Sequence, residues 1–376
     1  NGHMHTCAVL YPVTPETTAP VVCWGRGEEG QLGDGNDRDR VRVPELVGWP
    51  DPALPTRVGA GWSHSCAMTA AGEVYCWGDA RYGVTGMDLT DGVRYEASSV
   101  GVSNAESVLG GDGFSCSRTL AGEMKCWGRN DRGQLAQPTC VTEACPVAAV
   151  PGLGSVAMGT VGRAHACAIG QMSGDTGPQL YCWGANGEGQ LGDGTLVDRS
   201  TPTRVSLPYT PVRVAAGESH TCVVAVDVST YHVYCWGRNS EGQVGDGTFG
   251  GDVIPYVVPE DALDAGIDLG PLPDGGVTFS RRAPAHHVET IPFPFLLAGR
   301  NHTCTGDIVL GELALRCWGK NTHGELGDGS RVHRNVPTLS SLTTTLADLS
   351  GGSAGDAFMC VVTGGTASFA SAQATP

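Results

Sequence analysis

Basic side chains are scarce in this chain of 376 residues: 23 lysines and arginines stand against 39 aspartates and glutamates, for a formal net charge of −16. Phosphate backbones and anionic membranes are bound by clustered Lys and Arg, so this balance argues against both as partners and for an acidic, solvated surface. No run of 18 apolar residues occurs, so no segment reads as a membrane-spanning helix. No signal-peptide pattern is present. The chain begins with Asn1 rather than Met, and Gly2-His3-Met4-His5-Thr6-Cys7 matches Gly299-Arg300-Asn301-His302-Thr303-Cys304. That beginning therefore reads as repeat rather than tag, and the chain as a processed product or an excerpt. Catalytic signatures are missing as well. There is no Gly-x-Ser-x-Gly, no phosphate-binding Gly-x-x-x-x-Gly-Lys and no His-Glu-x-x-His.

What is present is repetition. Cys-Trp-Gly occurs six times, starting at Cys23, Cys76, Cys126, Cys182, Cys235 and Cys317, and an upstream cysteine recurs seven times, at Cys7, Cys66, Cys116, Cys167, Cys222, Cys304 and Cys360. Successive Cys-Trp-Gly starts lie 53, 50, 56, 53 and 82 residues apart. One repeat cannot bury its apolar face without its neighbours, so the period overrides length and predicts a single domain over residues 1–376. The 56 glycines and 23 prolines fall periodically at turn positions and so do not signal disorder.

The fifteen cysteines follow from the hairpin. Between Cys66 and Cys76 a three-residue turn at Ala70-Ala71-Gly72 sets the two cysteines directly opposite, with glycine at the position that needs a left-handed residue. A cross-strand pair has a Cα separation compatible with a disulfide. The expected pairs are Cys7 with Cys23, Cys66 with Cys76, Cys116 with Cys126, Cys167 with Cys182, Cys222 with Cys235 and Cys304 with Cys317. A seventh pair, Cys140 with Cys145, closes a small loop. Phe369-Ala370-Ser371 aligns with Tyr75-Cys76-Trp77, which puts Ala370 where a partner for Cys360 should stand and makes Cys360 an unpaired, buried thiol. Such regular pairing implies an oxidising compartment: extracellular, cell-surface or periplasmic. Metal binding is the competing reading, because His5, His64, His165, His220 and His302 each precede a cysteine by two residues. Paired Cys-x-x-Cys spacing is absent, however, and Phe114 and Phe358 occupy the histidine position in two repeats. The histidines read instead as a repeated structural hydrogen bond.

Each repeat reads as four short strands: a small, apolar first strand, the His-x-Cys strand, the Tyr-Cys-Trp-Gly strand and, after a glycine-rich segment, a fourth strand near a proline. Gly-x-x-His-Thr-Cys followed by Tyr-Cys-Trp-Gly-x-Asn-x-x-Gly-Gln-Leu-Gly-Asp-Gly resembles the repeat of the regulator of chromosome condensation family, over essentially the whole chain. That resemblance implies an all-β, seven-bladed β-propeller of about 50-residue repeats, with the last blade, from about Leu346 to Phe369, incomplete.

Whatever recurs in every repeat reads as architecture, so candidate contacts are sought where the repeat fails. Trp62 follows Gly61 at a position held elsewhere by His3, Asp112, Arg163, Glu218, Arg300 and Asp356, which marks it as surface. A polar insertion at about 252–293 reads as a loop and carries a compact basic cluster, Arg281, Arg282, His286 and His287. No cofactor is expected; the acidic clusters Asp34 to Asp39 and Asp261 to Asp268 are the candidates for calcium, although the full loop with its terminal Glu is not there. The function expected is that of an exported, non-enzymatic propeller acting as a protein–protein interaction scaffold. The alternatives are a structural component of a cell-surface or extracellular assembly, self-associating through the incomplete last blade, and a propeller glycosidase, which the Ala, Gly and Val of the axial strands disfavour.

Overall fold

The computed structural model describes residues 2–10, 21–50, 54–86, 92–140, 144–228, 230–250, 295–309, 312–345, 349–354, 358–363 and 366–371. These residues are all-β, with no helix among them. The chain divides into two compact units, Asn1–Ala166 with Gly170–Gly174 and Arg199–Pro202, and Cys167–Ile169 with Asp175–Asp198 and Thr203–Pro376. The insertion at 252–293, with Arg281, Arg282, His286, His287 and the Asp261 to Asp268 cluster, lies outside the described residues.

Strands neighbouring in sequence are neighbours in each sheet. The first sheet holds β1 (His5–Val9), β2 (Val21–Gly25) and β3 (Arg40–Leu46), and the second β4 (Pro55–Ala60), β5 (His64–Thr69), β6 (Val74–Asp79) and β7 (Val93–Ser99). The third holds β8 (Ala105–Gly110), β9 (Phe114–Thr119), β10 (Met124–Gly128) and β11 (Cys145–Ala149). The fourth holds β12 (Gly154–Val161), β13 (His165–Gln171), β14 (Gln179–Gly184) and β15 (Arg199–Val205). Then come β16 (Thr210–Ala216), β17 (His220–Asp227) and β18 (Thr230–Gly237); β19 (Phe295–Ala298), β20 (His302–Val309), β21 (Glu312–Gly319) and β22 (Arg334–Thr345); and β23 (Leu349–Ala354), β24 (Phe358–Thr363) and β25 (Thr366–Ser371). Among the described residues, four of these seven sheets have four strands and three have three.

The period of two decides what each face of a sheet does. β5 and β6 are buried along their whole length, so both faces carry packed side chains and the polar ones among them, His64, Ser65 and Thr69, need internal partners. Cys66, Met68, Val74 and Cys76 pack on Trp127 of the following repeat, while Ala67, Tyr75 and Trp77 pack on Cys7, Cys23 and Leu32 of the preceding one. In the second unit Cys222, Val224 and Cys235 pack with Val244, Leu296 and Trp318. Trp77, Trp127 and Trp318 thus each close over the disulfide of the repeat before. The lone aliphatic residues of the glycine-rich segments, Leu32, Leu135, Leu191, Val244 and Leu326, are fully buried, and Leu32 and Val244 lie in these clusters.

The hairpins place the cysteines face to face. Cys66 pairs with Cys76 in register, and Gly72, at φ 77°, closes the turn by donating its N–H to Thr69 O. The six hairpin disulfides have Cα separations of 4.0 to 4.1 Å, the close spacing of cross-strand positions that do not hydrogen-bond to each other. Cys140 and Cys145 are joined as well, with Cα atoms 6.0 Å apart. In the last sheet the alignment made from sequence is off by one residue. Cys360 faces Phe369, not Ala370, and Phe358 faces Ser371, as His64 faces Gly78. The strand β24 to β25 turn is two residues long, shorter than the tips used to set that alignment, and a one-residue slip moves every side chain to the other face.

Candidate functional site

The variable position that contains Trp62 lies in the loop just before the His-x-Cys strand, and in four repeats the chain there is held by main-chain bonds to the next repeat. His3 N–H donates to Gly61 O at 3.3 Å, Trp62 N–H to Gly111 O at 2.9 Å, Asp112 N–H to Arg163 O at 2.8 Å and Glu218 N–H to Arg300 O at 2.9 Å. These bonds fix the loops to one another and leave the side chains as the free variable.

Those side chains meet in complementary pairs. His3 stacks on Trp62 with ring centroids 3.9 Å apart and planes 12° from parallel. Arg163 donates from Nε to the Asp112 carboxylate at 3.2 Å, and Arg300 from Nε to Glu218 at 2.7 Å. In the first unit the pairs join into one cluster: the Arg163 guanidinium lies 4.7 Å from the Trp62 ring centroid, Arg129 reaches Asp112 at 3.9 Å, and Arg129 lies 5.2 Å over the Tyr82 ring. A run of contacts therefore leads from His3 through Trp62, Arg163, Asp112 and Arg129 to Tyr82. Next to Tyr82, Arg81 is ion-paired with Asp79.

The cations stand above the anions in this cluster. The Arg81 side chain is 63% exposed against 10% for Asp79, and Arg163 is 48% exposed against 23% for Asp112. What solvent meets is guanidinium and aromatic edge, the composition that anchors protein interfaces. The Asp79 carboxylate beneath Arg81 raises the Arg81 pKa through its hydrogen bonds, so the guanidinium is charged at all working pH.

Trp62 is thus half-buried and already engaged by two neighbours, rather than the isolated surface ring its sequence setting suggests. The signal for its partners was in the same column of the repeat: consecutive entries His3 and Trp62, Asp112 and Arg163, Glu218 and Arg300 are each complementary. Arg129 and Tyr82 come from a different loop, after Trp-Gly, and no column relates them to Trp62.

The histidines and the Asp34 to Asp39 stretch make local and inter-repeat contacts. Cysteines that follow the histidines at 7, 66, 167, 222 and 304 are all in disulfides. His5, His64 and His220 direct Nε2 to Ser65 Oγ, Ser115 Oγ and Thr303 Oγ1 at 2.7, 2.7 and 2.9 Å, a hydroxyl of the next repeat each time. In the acidic stretch Asp34 to Asp39, Asp34 Oδ1 accepts the Asn36 N–H at 3.2 Å and Asp39 Oδ1 accepts the Gly27 N–H at 2.8 Å. Among the described residues no group of three or more His, Cys, Asp or Glu is placed to hold a metal ion, and no helix is long and apolar enough to cross a membrane.

Comparison with known proteins agrees with this architecture. A profile of the regulator of chromosome condensation (RCC1) repeat matches residues 21–68 and 179–224, and a second profile of that repeat matches residues 56–84. The chain is 28% identical over 250 residues to the ultraviolet-B receptor UVR8 of Arabidopsis thaliana, covering 65% of this chain and 54% of the receptor. It is 31% identical over 240 residues to the human E3 ubiquitin-protein ligase HERC2, covering 61% of this chain and only 5% of the ligase. The chain thus spans about half of one curated relative and a small part of the other. Among solved structures, human WBSCR16 superposes with a TM-score of 0.71 at 20% identity, covering 96% of this chain and 85% of that one. Prp20p of Saccharomyces cerevisiae, studied for its binding to Gsp1p and histones, superposes with a TM-score of 0.65 at 23% identity, covering 94% and 79%. These likenesses establish a β-propeller fold.

Proposed function

Because this chain is built from regulator of chromosome condensation repeats on a β-propeller fold, we propose that it is a non-enzymatic protein-interaction scaffold that works in an oxidising compartment outside the cytoplasm. The observation that carries the proposal is the cluster of His3, Trp62, Arg163, Asp112, Arg129 and Tyr82, three aromatic rings and two guanidiniums held in order by stacking and ion pairing. Side chains already ordered in the free protein lose little entropy on binding, so such a cluster supports affinity at low cost. It stands in loops outside the repeated framework, where a change of side chain leaves the sheets alone. Prp20p, which superposes on this chain, binds Gsp1p and histones and has been solved bound to Kap60.

The compartment is argued from the cysteines. Seven disulfides, six at one repeated position, would not persist in a reducing cytosol. Regular pairing of this kind also supports the extracellular, cell-surface or periplasmic setting.

The test is affinity capture with cross-linking from extracellular or periplasmic fractions, comparing the parent chain with Trp62→Ala/Arg163→Ala and with a deletion of residues 261–288. Loss of the captured protein with the double substitution supports the Trp62 face, and loss with the deletion alone transfers the role to the insertion. Capture unchanged by both overturns the scaffold reading as drawn here.

A further inference from the structure

Each of the seven disulfides joins two residues of one repeat, and none ties a repeat to the next. What holds consecutive sheets together is therefore non-covalent. Apolar packing, and the indole N–H bonds that Trp77, Trp236 and Trp318 donate to the carbonyls of Gln31, Gln190 and Gln243, are indifferent to pH. The histidine bridges are not.

Their geometry leaves the imidazole one usable proton. Ser65 Oγ donates to Gln31 O at 3.0 Å, so it can only accept from His5 Nε2; Thr303 Oγ1 donates to Gln243 O at 3.3 Å and accepts from His220 Nε2 in the same way. Nε2 thus carries the proton. His5 Nδ1 is buried with no hydrogen-bond partner, and the ring lies so close to the chain three residues earlier that a Cβ on Gly2 would fall 2.6 Å from Nδ1. In the His220 loop a Cβ on Gly217 would fall 2.4 Å from Nδ1. At His5 a second proton has neither solvent nor room.

We infer that the repeated histidine is an acid-sensitive latch between repeats: on acidification consecutive sheets separate at the histidine–hydroxyl bonds, while the disulfides keep the six cross-linked hairpins whole so that neutralisation restores the contacts.

Burial holds His64 and His165 down at about 4 and His5 at about 3, all below the ordinary 6.5. His5 is lowered further by His64 and His3, against a backbone hydrogen bond at His64 that raises it. Asp79 opposes the shift at His64, but that carboxylate is held by Arg81; in the His220 loop Glu218 is held by Arg300. The sign follows. The opened form takes protons first, so the latch is fully closed above about pH 6.5 and weakens as pH falls toward 4, each histidine lowering the folding constant by about tenfold per pH unit in that window. Carboxylates titrate mostly lower, so the interval from pH 6.5 to 5 reports the histidines.

The third repeat supplies its own control. Phe114 occupies the histidine position, fully buried, with Gly111 beneath its ring just as Gly61 lies beneath His64. The experiment is urea unfolding of the whole chain at pH 7, 6 and 5 for the parent, His5→Phe, His64→Phe and the double variant. Proton uptake on unfolding near pH 5.5 is expected to fall by about one per histidine replaced; an unchanged pH slope in folded variants overturns the latch. Imidazole Cε1–H shifts of the parent keep the inference testable if a variant fails to fold. The buried histidines should stay neutral down to the opening transition, and buried rings titrating near 6.5 in the intact fold overturn it. Hydrogen exchange at the transition adds the order of events. The indole N–H of Trp77 and Trp318 should lose protection before the amides of the Cys66–Cys76 hairpin, and the reverse order refutes separation between sheets.

Discussion

Trp77 donates its indole N–H to the backbone carbonyl of Gln31 at 2.9 Å, joining one repeat to the glycine-rich segment of the repeat before it. Trp236 does the same to Gln190 and Trp318 to Gln243, both at 2.9 Å. The bond explains why tryptophan, and no other large apolar residue, recurs after the cysteine: the ring fills the junction and its single donor satisfies a buried carbonyl. Trp77→Phe should therefore cost about 2–4 kcal/mol, combining a cavity with a lost hydrogen bond. Trp62→Phe, half-buried and stacked, should cost under about 1 kcal/mol. Urea unfolding of the two variants checks the contrast, and equal losses would contradict it.

Gly192 and Ala136 hold one position in two repeats with opposite sensitivity. Gly192 has φ 74° and a Cβ there would fall 2.7 Å from the Trp236 ring, whereas Ala136 is fully buried at φ 55°. Gly192→Ala adds both a left-handed alanine and a clash with a rigid ring, and should destabilise by more than about 2 kcal/mol. Ala136→Gly removes left-handed strain of about 1–2 kcal/mol but loosens the unfolded chain by about 0.4–1 kcal/mol, so it should be neutral to mildly stabilising. Thermal unfolding distinguishes them by sign.

Asn321 is buried and organises the turn that follows Trp-Gly. Its Oδ1 accepts the Leu326 N–H at 3.0 Å, and its Nδ2 donates to Asp328 Oδ1 at 3.0 Å and to Val332 O at 3.1 Å. Asn321→Ala leaves several buried groups unpaired and should cost about 2–3 kcal/mol, measured by chemical unfolding. Burial alone would raise the Asp328 carboxyl, but bonds from Ser330, Arg334 and Asn321 hold it down at about 2. Because that value is depressed, its contribution is present above about pH 4 and disappears as the pH falls through 2.

The third repeat departs from this turn and uses a disulfide in its place. Asn130 Nδ2 donates to Gln137 O at 2.9 Å and to Cys140 O at 3.1 Å, where Asn186 in the next repeat meets Asp193 and Thr195. Cys140 is half-buried, while the hairpin cysteines are buried. Mild reduction of the native protein followed by alkylation and mass spectrometry should label Cys140 and Cys145 before any hairpin cysteine. Labelling of a hairpin pair first would show that access does not govern the order.

Much of the fold could be read directly from the chain, because whatever recurs at a fixed period must do the same physical job each time. Cysteines facing across a short turn, as at Cys66 and Cys76, have little choice of partner, and Gly72 needs no neighbour to require its turn. Register at the shortest turn was harder: Cys360 faces Phe369 because two residues, not three, close β24 to β25, and no repeat-derived tip length reports that.

The candidate site was only half visible. Sequence alone determined the strands, the pairing of cysteines and the column in which Trp62 departs from its counterparts, since those depend on local periodicity. Tertiary structure decided what that column does. That His3 stacks on Trp62, that Arg163 spans Trp62 and Asp112, and that Arg129 arrives from another loop with Tyr82 are consequences of which loop ends the packed sheets bring together. Likewise a histidine two residues before a cysteine looks like a metal ligand on paper. Only the stacking of one repeat on the next turns its Nε2 toward a serine or threonine some 50 to 80 residues away.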